Sequence, residues 1–345
     1  MKIWFLSSSA KGCRLALRIK DALKDEECHL YCKTRAEHEG SKQIEVSHKE
    51  WGALAFKNAD AVIFVGAIGI AVRTIAPHVR SKVTDPAVVV VDEMGLFSIP
   101  LLSGHIGGSN RLAHRIADAL GSVPVITTAT DINGKISIDS FAADRGMHIG
   151  SMNIAKFVSS AILDDKPVGL FSDFRIEGRI PDGMVLSESG DIGVCVTHRT
   201  DRDPYKETLV LTPRCLVVGV GCREGVPKER IMSEIDSALK LNSVSGKSIR
   251  SLASINIKKG ETGLLEAAGD LGVPVAFFSA RELNSMKGEF SRSEFVESVT
   301  GVDCVCERAA VAASDKGKLI LRKTSNNGVT VALALDDYVL RTEDS

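Results

Sequence analysis

The sequence predicts an α/β protein, with parallel or mixed-sheet α/β domains at its two ends and a smaller α+β domain between them. Three observations carry this expectation. Apolar runs such as Ala61–Val65 and Ala87–Val91 have the composition of strands buried on both faces. Amphipathic segments with helical spacing alternate with such runs in the first and last thirds, the pattern of a parallel sheet covered by helices. The middle is instead a series of short strand candidates separated by turn residues.

Taken in order, Lys2–Leu6 is a strand candidate, and Leu15, Ile19, Ala22 and Leu23 share one helical face. The runs at residues 61–65 and 87–91 follow. Leu112, Ile116, Ala119 and Leu120 mark a second amphipathic helix ended by Gly121, and Pro124–Thr127 reads as a strand. Between Ile136 and Pro213, strand candidates at residues 169–171 and 192–196 are set off by Gly178, Pro181-Asp182-Gly183 and Ser189-Gly190-Asp191. Asp201, Asp203, Pro204 and Pro213 break periodicity and suggest a boundary. The α/β pattern then restarts with Leu216–Val220, Pro227 at a helix start, and the face Ile231, Ile235, Ala238 and Leu239. Ser291 and Glu294 have capping-box spacing. Lys318–Arg322 and Val329–Leu335 read as a hairpin across Asn326-Asn327-Gly328. The expected domains are residues 1–135, 136–212 and 213–345.

A chain of 345 residues fits two or three domains of ~100–200 residues. Its 43 basic and 44 acidic residues leave a net charge of -1, which argues against a nucleic-acid partner, because phosphate binding needs concentrated Lys and Arg. No apolar run approaches the ~20 residues that span a bilayer, so no membrane partner is expected. The opening Met1–Leu6 is too brief for a signal peptide, and a cytoplasmic location is the default expectation. A homodimer is compatible with these properties. The eight cysteines form no C-x-x-C pair, and most are expected to be buried or incidental thiols.

Three glycine-bearing junctions stand out in the first third. Ser103-Gly104-His105-Ile106-Gly107-Gly108-Ser109-Asn110 leads into the helix from Arg111. Its glycines allow close backbone approach, its free amides suit an anion or oxyanion, and its histidine suits proton transfer near neutrality. The plainer alternative is a glycine turn with a structural histidine. Asp92 and Glu93 follow an apolar strand, where open α/β sheets bind ligands, although a solvated loop would look the same. Gly66-Ala67-Ile68-Gly69-Ile70-Ala71-Val72-Arg73 is a second glycine turn with an arginine to hold a carboxylate. The three junctions are expected to converge on one sheet edge.

In the last third, Gly219-Val220-Gly221-Cys222-Arg223-Glu224-Gly225 approximates a dinucleotide fingerprint. Its third glycine is one residue late, and Lys258 and Lys259 follow the next strand candidate where a ribose-binding acid belongs. Cys222 could be a nucleophile or a metal contact, but a packed thiol is the more ordinary reading. There is no G-x-S-x-G elbow, no H-E-x-x-H and no complete P-loop, so serine-esterase, zincin and ATP-driven chemistry lack support. No metal-ligand spacing is evident among the histidines.

The stretch from Gly66 to Asp131, GAIGIAVRTIAPHVRSKVTDPAVVVVDEMGLFSIPLLSGHIGGSNRLAHRIADALGSVPVITTATD, resembles the N-terminal region of the cobalt-precorrin-5A hydrolase family of anaerobic cobalamin biosynthesis. Ser109 stands where an alanine is expected. The pieces VVGVGCREGV, LASINIKKGETGLLEAA, CERAAV and KTSNNGVTVALA resemble that family's C-terminal domain. The middle matches mainly by position and length. The resemblance implies a cobalt-tetrapyrrole substrate with a δ-lactone joining a ring-A acetate to C20. It also implies lactone opening by water and release of C20 with its methyl group as acetaldehyde, giving cobalt-precorrin-5B. Cobalt is carried by the substrate, so no cofactor and no protein metal site are implied.

Local physics, not the resemblance, suggests the roles. His105 is expected as base or proton shuttle, oriented by Glu93 or Asp92, with the amides of Gly107 and Gly108 as oxyanion donors. Arg73, Lys82, Arg111, Arg223 and Lys258 are expected to hold the carboxylate arms. Gly66, Gly69, Ser103, Gly104, Asn110, Gly221 and Cys222 would complete the substrate cradle. A non-catalytic carrier of a corrinoid intermediate is the alternative, and a nucleotide-dependent reductase is a third reading.

Overall fold

The computed structural model describes residues 1–34, 40–81, 84–105 and 107–342. The chain divides into two units, Met1–Phe141 and Ala142–Ser345. In the first, the strands β1 (Lys2–Ser7), β2 (Glu27–Cys32), β3 (Lys42–Gln43), β4 (Ala61–Val65), β5 (Ala87–Val91), β6 (Phe97–Leu102) and β7 (Val123–Pro124) form one sheet in the order β3-β2-β1-β4-β5-β6-β7. The pairs from β3 through β5 are parallel, and β6 runs antiparallel to β5. The apolar runs expected to be buried on both faces are so: every residue of β4 and β5 is buried.

Helices cover both faces. α1 (Ala10–Ala22) and α4 (Ser109–Leu120) place Leu15, Ile19, Leu112 and Ile116 against Phe5, Ile63 and Val89. On the other face, α2 (His48–Asn58) and α3 (Ile68–Ile75) bring Trp51, Ala55, Ala71 and Ile75 against Leu6, Phe64 and Val90. The reversal of strand order between β1 and β4 is a doubly wound topology with its switch point there. α1 starts where Ser9 Oγ accepts the Gly12 amide, and α4 stops at Gly121, whose left-handed φ of 69° suits glycine. The strand expected at Pro124–Thr127 is shorter, since pairing ends at Pro124. The short helices α5 (Ala129–Ile132) and α6 (Ile138–Asp144) follow.

Cys13 on α1 and Cys32 at the end of β2 are joined in a disulfide, while the other six cysteines are free thiols. Most of the eight are thus thiols, as expected. The bridged pair was not foreseen because a separation of 19 residues matches no motif.

The second unit holds two larger sheets. Its first strand β8 (His148–Ile149), helix α7 (Met152–Leu163) and strands β9 (Val168–Ser172), β10 (Arg175–Glu177), β11 (Met184–Leu186), β12 (Gly190–Val196) and β13 (Tyr205–Thr212) make up the middle region. Five of these strands pair in the order β11-β9-β12-β13-β8, parallel except for β8. β13 runs through the segment where periodicity was expected to fail. Tyr205, Leu209 and Leu211 are buried on one face and Thr208 and Thr212 on the other, despite the polar letters between them. The Tyr205 ring fills the space above Gly169 and Gly193, where an added Cβ would come within 2.3 and 2.4 Å of it. Its hydroxyl donates to the Ser187 carbonyl at 2.7 Å.

The last third contributes β14 (Leu216–Cys222), α8 (Lys228–Leu241), β15 (Ile249–Ile255), α9 (Thr262–Leu271), β16 (Val275–Phe278), α10 (Ala280–Ser285), α11 (Glu294–Thr300), α12 (Val305–Ala313), β17 (Lys318–Asn326), β18 (Val329–Leu335) and β19 (Val339–Arg341). The sheet order is β16-β15-β14-β18-β17, and β19 pairs with β10. The expected hairpin is present, turned by Asn327 and Gly328, both with positive φ. The expected Ser291–Glu294 capping box is not. Ser293 caps α11 by accepting the Val296 amide, and Ser291 instead donates to the buried carboxylate of Glu307.

Candidate functional site

In the first unit, the carboxyl ends of β1, β4 and β5 surround a hollow of about 410 Å³ at the switch point. Ser7, Ser8 and Ser9 leave β1, Gly66 and Ala67 leave β4, and Asp92 and Glu93 leave β5, all lining it. The serines carried no recognised motif and were missed. Gly66 has φ 146°, a conformation reserved for glycine, and its amide donates to the Val91 carbonyl. Glu93 accepts a hydrogen bond from Ser9 Oγ. Asp92 accepts the amides of Met94, Leu96 and Phe97, at 3.0, 2.7 and 2.7 Å, and so holds the β5–β6 turn. Gly69 and Arg73 lie on α3, where Arg73 Nη1 donates to the Gly69 carbonyl at 2.9 Å.

The loop bearing His105 does not join this edge. β6 returns antiparallel along β5, with Val91 opposite Ser98 and Val88 opposite Leu102. Ser103, Gly104 and His105, which follow β6, therefore sit beside the start of β5, about 13 Å of strand from Asp92. Convergence of the three junctions on one edge is thus corrected, and with it the orientation of His105 by Glu93 or Asp92. The cause is a strand, Phe97–Leu102, that reverses the chain before the loop begins.

At its actual place the loop is tightly tied. Ser103, with φ 58°, donates through Oγ to the Asp85 carbonyl at 3.0 Å. The Gly108 amide donates to the His105 carbonyl at 2.9 Å, so it is not a spare oxyanion donor as expected. Gly104 and Gly107 are needed for packing: a Cβ there would meet Asn110 Oδ1 at 2.9 Å or Ser103 Cβ at 2.4 Å. Asn110, only 8% exposed, donates to Thr128 Oγ1 and Asp131, each at 2.9 Å. Ser103 and Asn110 thus serve the loop's own shape. Arg111 is exposed on the first turn of α4. Lys82 lies outside the described residues.

His105 itself bridges two hydroxyls. Its Nδ1 lies 3.1 Å from Ser140 Oγ on α6, and its Nε2 lies 3.1 Å from Thr130 Oγ1 on α5. Asp131 is 3.9 Å from the same Nε2 and also accepts from Thr128. The imidazole is 21% exposed, so it is held yet reachable. Asp131 ends the quoted TTATD segment, but nothing local marked it or Thr130 as partners of His105. Ser140 carried no signal, because 35 residues of chain separate it from the histidine it contacts.

In the second unit, a cleft of about 1150 Å³ opens over the carboxyl ends of β14 and β15. It is lined by Gly221, Cys222, Arg223 and Lys258, four residues singled out in the sequence. Lys258 is ion-paired with Glu261 at 2.9 Å, and Glu261 also accepts the Gly225 amide at 2.6 Å. Burial raises the Glu261 carboxyl, but these two donors outweigh it and hold the group below its ordinary range. Arg223 is exposed on the rim and makes no ion pair among the described residues. Lys228, from α8, and Lys323, from β17, bring the cations of the lining to four. Burial pushes the Cys222 thiol up, away from nucleophilic thiolate character. Cys304 and Cys306, at the start of α12, also line the cleft with their sulfurs 3.9 Å apart. Gly219, the first glycine of the apparent fingerprint, is occupied by α12: a Cβ there would lie 1.9 Å from the Cys306 carbonyl oxygen.

Among the described residues, no group of three or more His, Cys, Asp or Glu side chains could hold a metal ion, and no helix is long and apolar enough to cross a membrane.

Three family models match the chain in succession. They are the cobalamin synthesis G N-terminal region over residues 50–131, the cobalamin biosynthesis central region over 136–213, and the cobalamin synthesis G C-terminus over 216–334. The chain is 36% identical over 296 residues to a cobalt-precorrin-5A hydrolase of Salmonella typhimurium, covering 81% of this chain and 83% of that protein. It is 34% identical to a cobalt-precorrin-5A hydrolase of Priestia megaterium, covering 82% of this chain and 80% of that one. Over 34% of its length it is 34% identical to Protein CobE of a Sinorhizobium species, of which it covers 79%. The chain therefore belongs to the cobalamin synthesis G family, the family of those cobalt-precorrin-5A hydrolases.

Proposed function

We propose that this chain is a cobalt-precorrin-5A hydrolase. The observation that carries this reading is the 36% identity over 81% of the chain to a relative of that activity. Its substrate is a cobalt-tetrapyrrole, which brings its own metal, and the protein supplies no cofactor. The reaction adds water across the ring-A lactone and releases C20 with its methyl group as acetaldehyde, the macrocycle accepting the electron pair of the one carbon–carbon bond that breaks. The enzyme works in the cytoplasm on a small molecule, without a nucleic-acid or membrane partner.

Lactone opening needs a proton taken from the attacking oxygen and one delivered to the departing oxygen. His105 moves both. Thr130 and Asp131, on one side of the ring, favour the tautomer with hydrogen on Nε2, leaving Nδ1 as the basic atom. The second-unit cleft, taken by itself, has the volume for a ligand larger than an ordinary drug-sized one, and its Arg223 and Lys323 suit carboxylate arms. The assignment of chemistry and the assignment of binding stand on separate observations and are tested separately.

The test is anaerobic incubation of the full chain with cobalt-precorrin-5A, with acetaldehyde measured by a coupled alcohol dehydrogenase. Stoichiometric release is expected. Replacing His105→Ala should lower kcat by roughly 10²–10⁴-fold, with little change in substrate affinity. Tight binding without acetaldehyde would make the chain a carrier instead. Unchanged turnover in the variant would remove His105 from the mechanism.

A further inference from the structure

We propose that Ser140 is a nucleophile, so that the lactone opens through an ester formed on the protein and not by direct attack of water. The inference rests on the hydrolase reading above and adds the atom that makes the first bond.

The geometry is that of an activated hydroxyl. Ser140 Oγ lies 3.1 Å from His105 Nδ1, within reach for proton transfer. The opposite ring nitrogen faces Thr130 Oγ1 at 3.1 Å and Asp131 at 3.9 Å. Nδ1 is therefore left to accept from Ser140, while a carboxylate stands ready to stabilise the imidazolium. This is the nucleophile–base relation of a hydrolytic triad with the two ring nitrogens exchanged, except that Thr130 takes the hydrogen-bonded orienting place and Asp131 supplies negative charge from 3.9 Å. Thr130 also touches the imidazole, but it is only 8% exposed, and it sits on the side where the ring donates. Ser140 is the more exposed hydroxyl and the primary alcohol. Asp131 and Thr130 are positioning residues.

The steps balance without redox chemistry. Ser140 Oγ bonds to the lactone carbonyl carbon as its proton passes to His105 Nδ1. The bond from that carbon to the C20 oxygen breaks, and the oxygen takes the proton back from the imidazolium. The ring-A acetate is then an ester of Ser140. Water, deprotonated by the same nitrogen, adds to the ester carbonyl. The bond to Oγ breaks, Ser140 regains its proton from the imidazolium, and the ring-A acetic acid leaves, giving its remaining proton to solvent as the carboxylate forms. One water is consumed.

The experiment uses the full chain with cobalt-precorrin-5A under anaerobic conditions. Reactions are quenched early, peptides are mapped by mass spectrometry, and parallel reactions contain hydroxylamine to intercept an ester. A substrate-mass adduct on the peptide containing Ser140, and a hydroxamate of the product, are expected from the unaltered protein. Ser140→Ala should lose at least about 10³-fold in acetaldehyde release, with its dissociation constant changed by no more than about threefold. The combined Ser140→Ala, His105→Ala protein should be no worse than either alone. Turnover by the unaltered protein with neither adduct nor hydroxamate overturns the proposal even if the variant fails to fold. So does a Ser140→Ala protein within about tenfold of full activity. A chain that releases no acetaldehyde at all overturns the hydrolase reading, a different result from active turnover that does not need Ser140.

Discussion

Replacing Gly219→Ala should destabilise the second unit by about 2 kcal/mol, as the balance of two opposing effects. Gly219 sits in the middle of β14, paired to Ala253 on β15 and to Ala332 on β18. Helix α12 rests directly on it. A Cβ would stand 1.9 Å from the Cys306 carbonyl oxygen, 2.8 Å from its carbon and 2.9 Å from Ala310 Cβ. The obstacle is helix backbone, which cannot rotate aside as a side chain would, so the whole first turn of α12 must lift. Overpacking of this kind costs about 1–3 kcal/mol, and a clash this deep belongs at the upper end. Alanine restricts the unfolded chain and returns about 0.4–1 kcal/mol. With a urea m-value near 2 kcal/mol/M, the midpoint should fall by roughly 1 M. Urea unfolding followed by circular dichroism is the assay. Gly269→Ala is the control, since it lies in α9 with open space around it and should be neutral or stabilising. A midpoint for Gly219→Ala indistinguishable from the parent would show that α12 is not seated on β14 as described.

Glu307 is fully buried on α12 and accepts from the Ser291 amide, the Ser291 hydroxyl and the Lys323 amide, at 2.8, 2.7 and 2.7 Å. Glu307→Gln sets an NH₂ group against these donors and should cost about 2–3 kcal/mol in urea unfolding, while an unchanged midpoint would refute the contacts. Burial raises the Glu307 carboxyl, but its three donors outweigh that and hold it below its ordinary value of 4.5. Its contribution is therefore complete above that pH and is lost as pH falls through the lower folded value. Between pH 6 and 3 the parent should lose stability more steeply than Glu307→Gln, and parallel slopes would contradict this. Arg223→Ala should weaken cobalt-precorrin-5A binding about tenfold by absorbance titration, and an unaltered dissociation constant would take that arginine out of substrate binding. Asp92→Ala should loosen the β5–β6 turn by about 2 kcal/mol, yet leave acetaldehyde release per folded molecule unchanged, since its oxygens are used by three amides. A loss of turnover as large as that of His105→Ala would return Asp92 to the chemistry.

The buried strands were legible because β4 and β5 have no polar letter to confuse the period. The Asn327-Gly328 turn was legible because a two-residue hairpin demands left-handed backbone. The second-unit cleft was partly legible: Gly221, Cys222, Arg223 and Lys258 were all singled out and all line it. β13 was not, because its partners are supplied by strands on either side and not by its own alternation. The apparent dinucleotide loop misled for a related reason. A glycine needed for close approach looks the same whether the neighbour is a pyrophosphate or, as at Gly219, the first turn of a helix.

The sequence by itself determined the family, the α/β class and the histidine-bearing glycine loop, since these depend on residue identity and on spacing within a few turns or strands. Tertiary structure decided which residues meet. Strand direction is not written in any local pattern, and one antiparallel strand, β6, carried His105 away from Glu93 and Asp92 to the opposite sheet edge. There it met Ser140, Thr130 and Asp131, a set of contacts that only the folded chain could assemble.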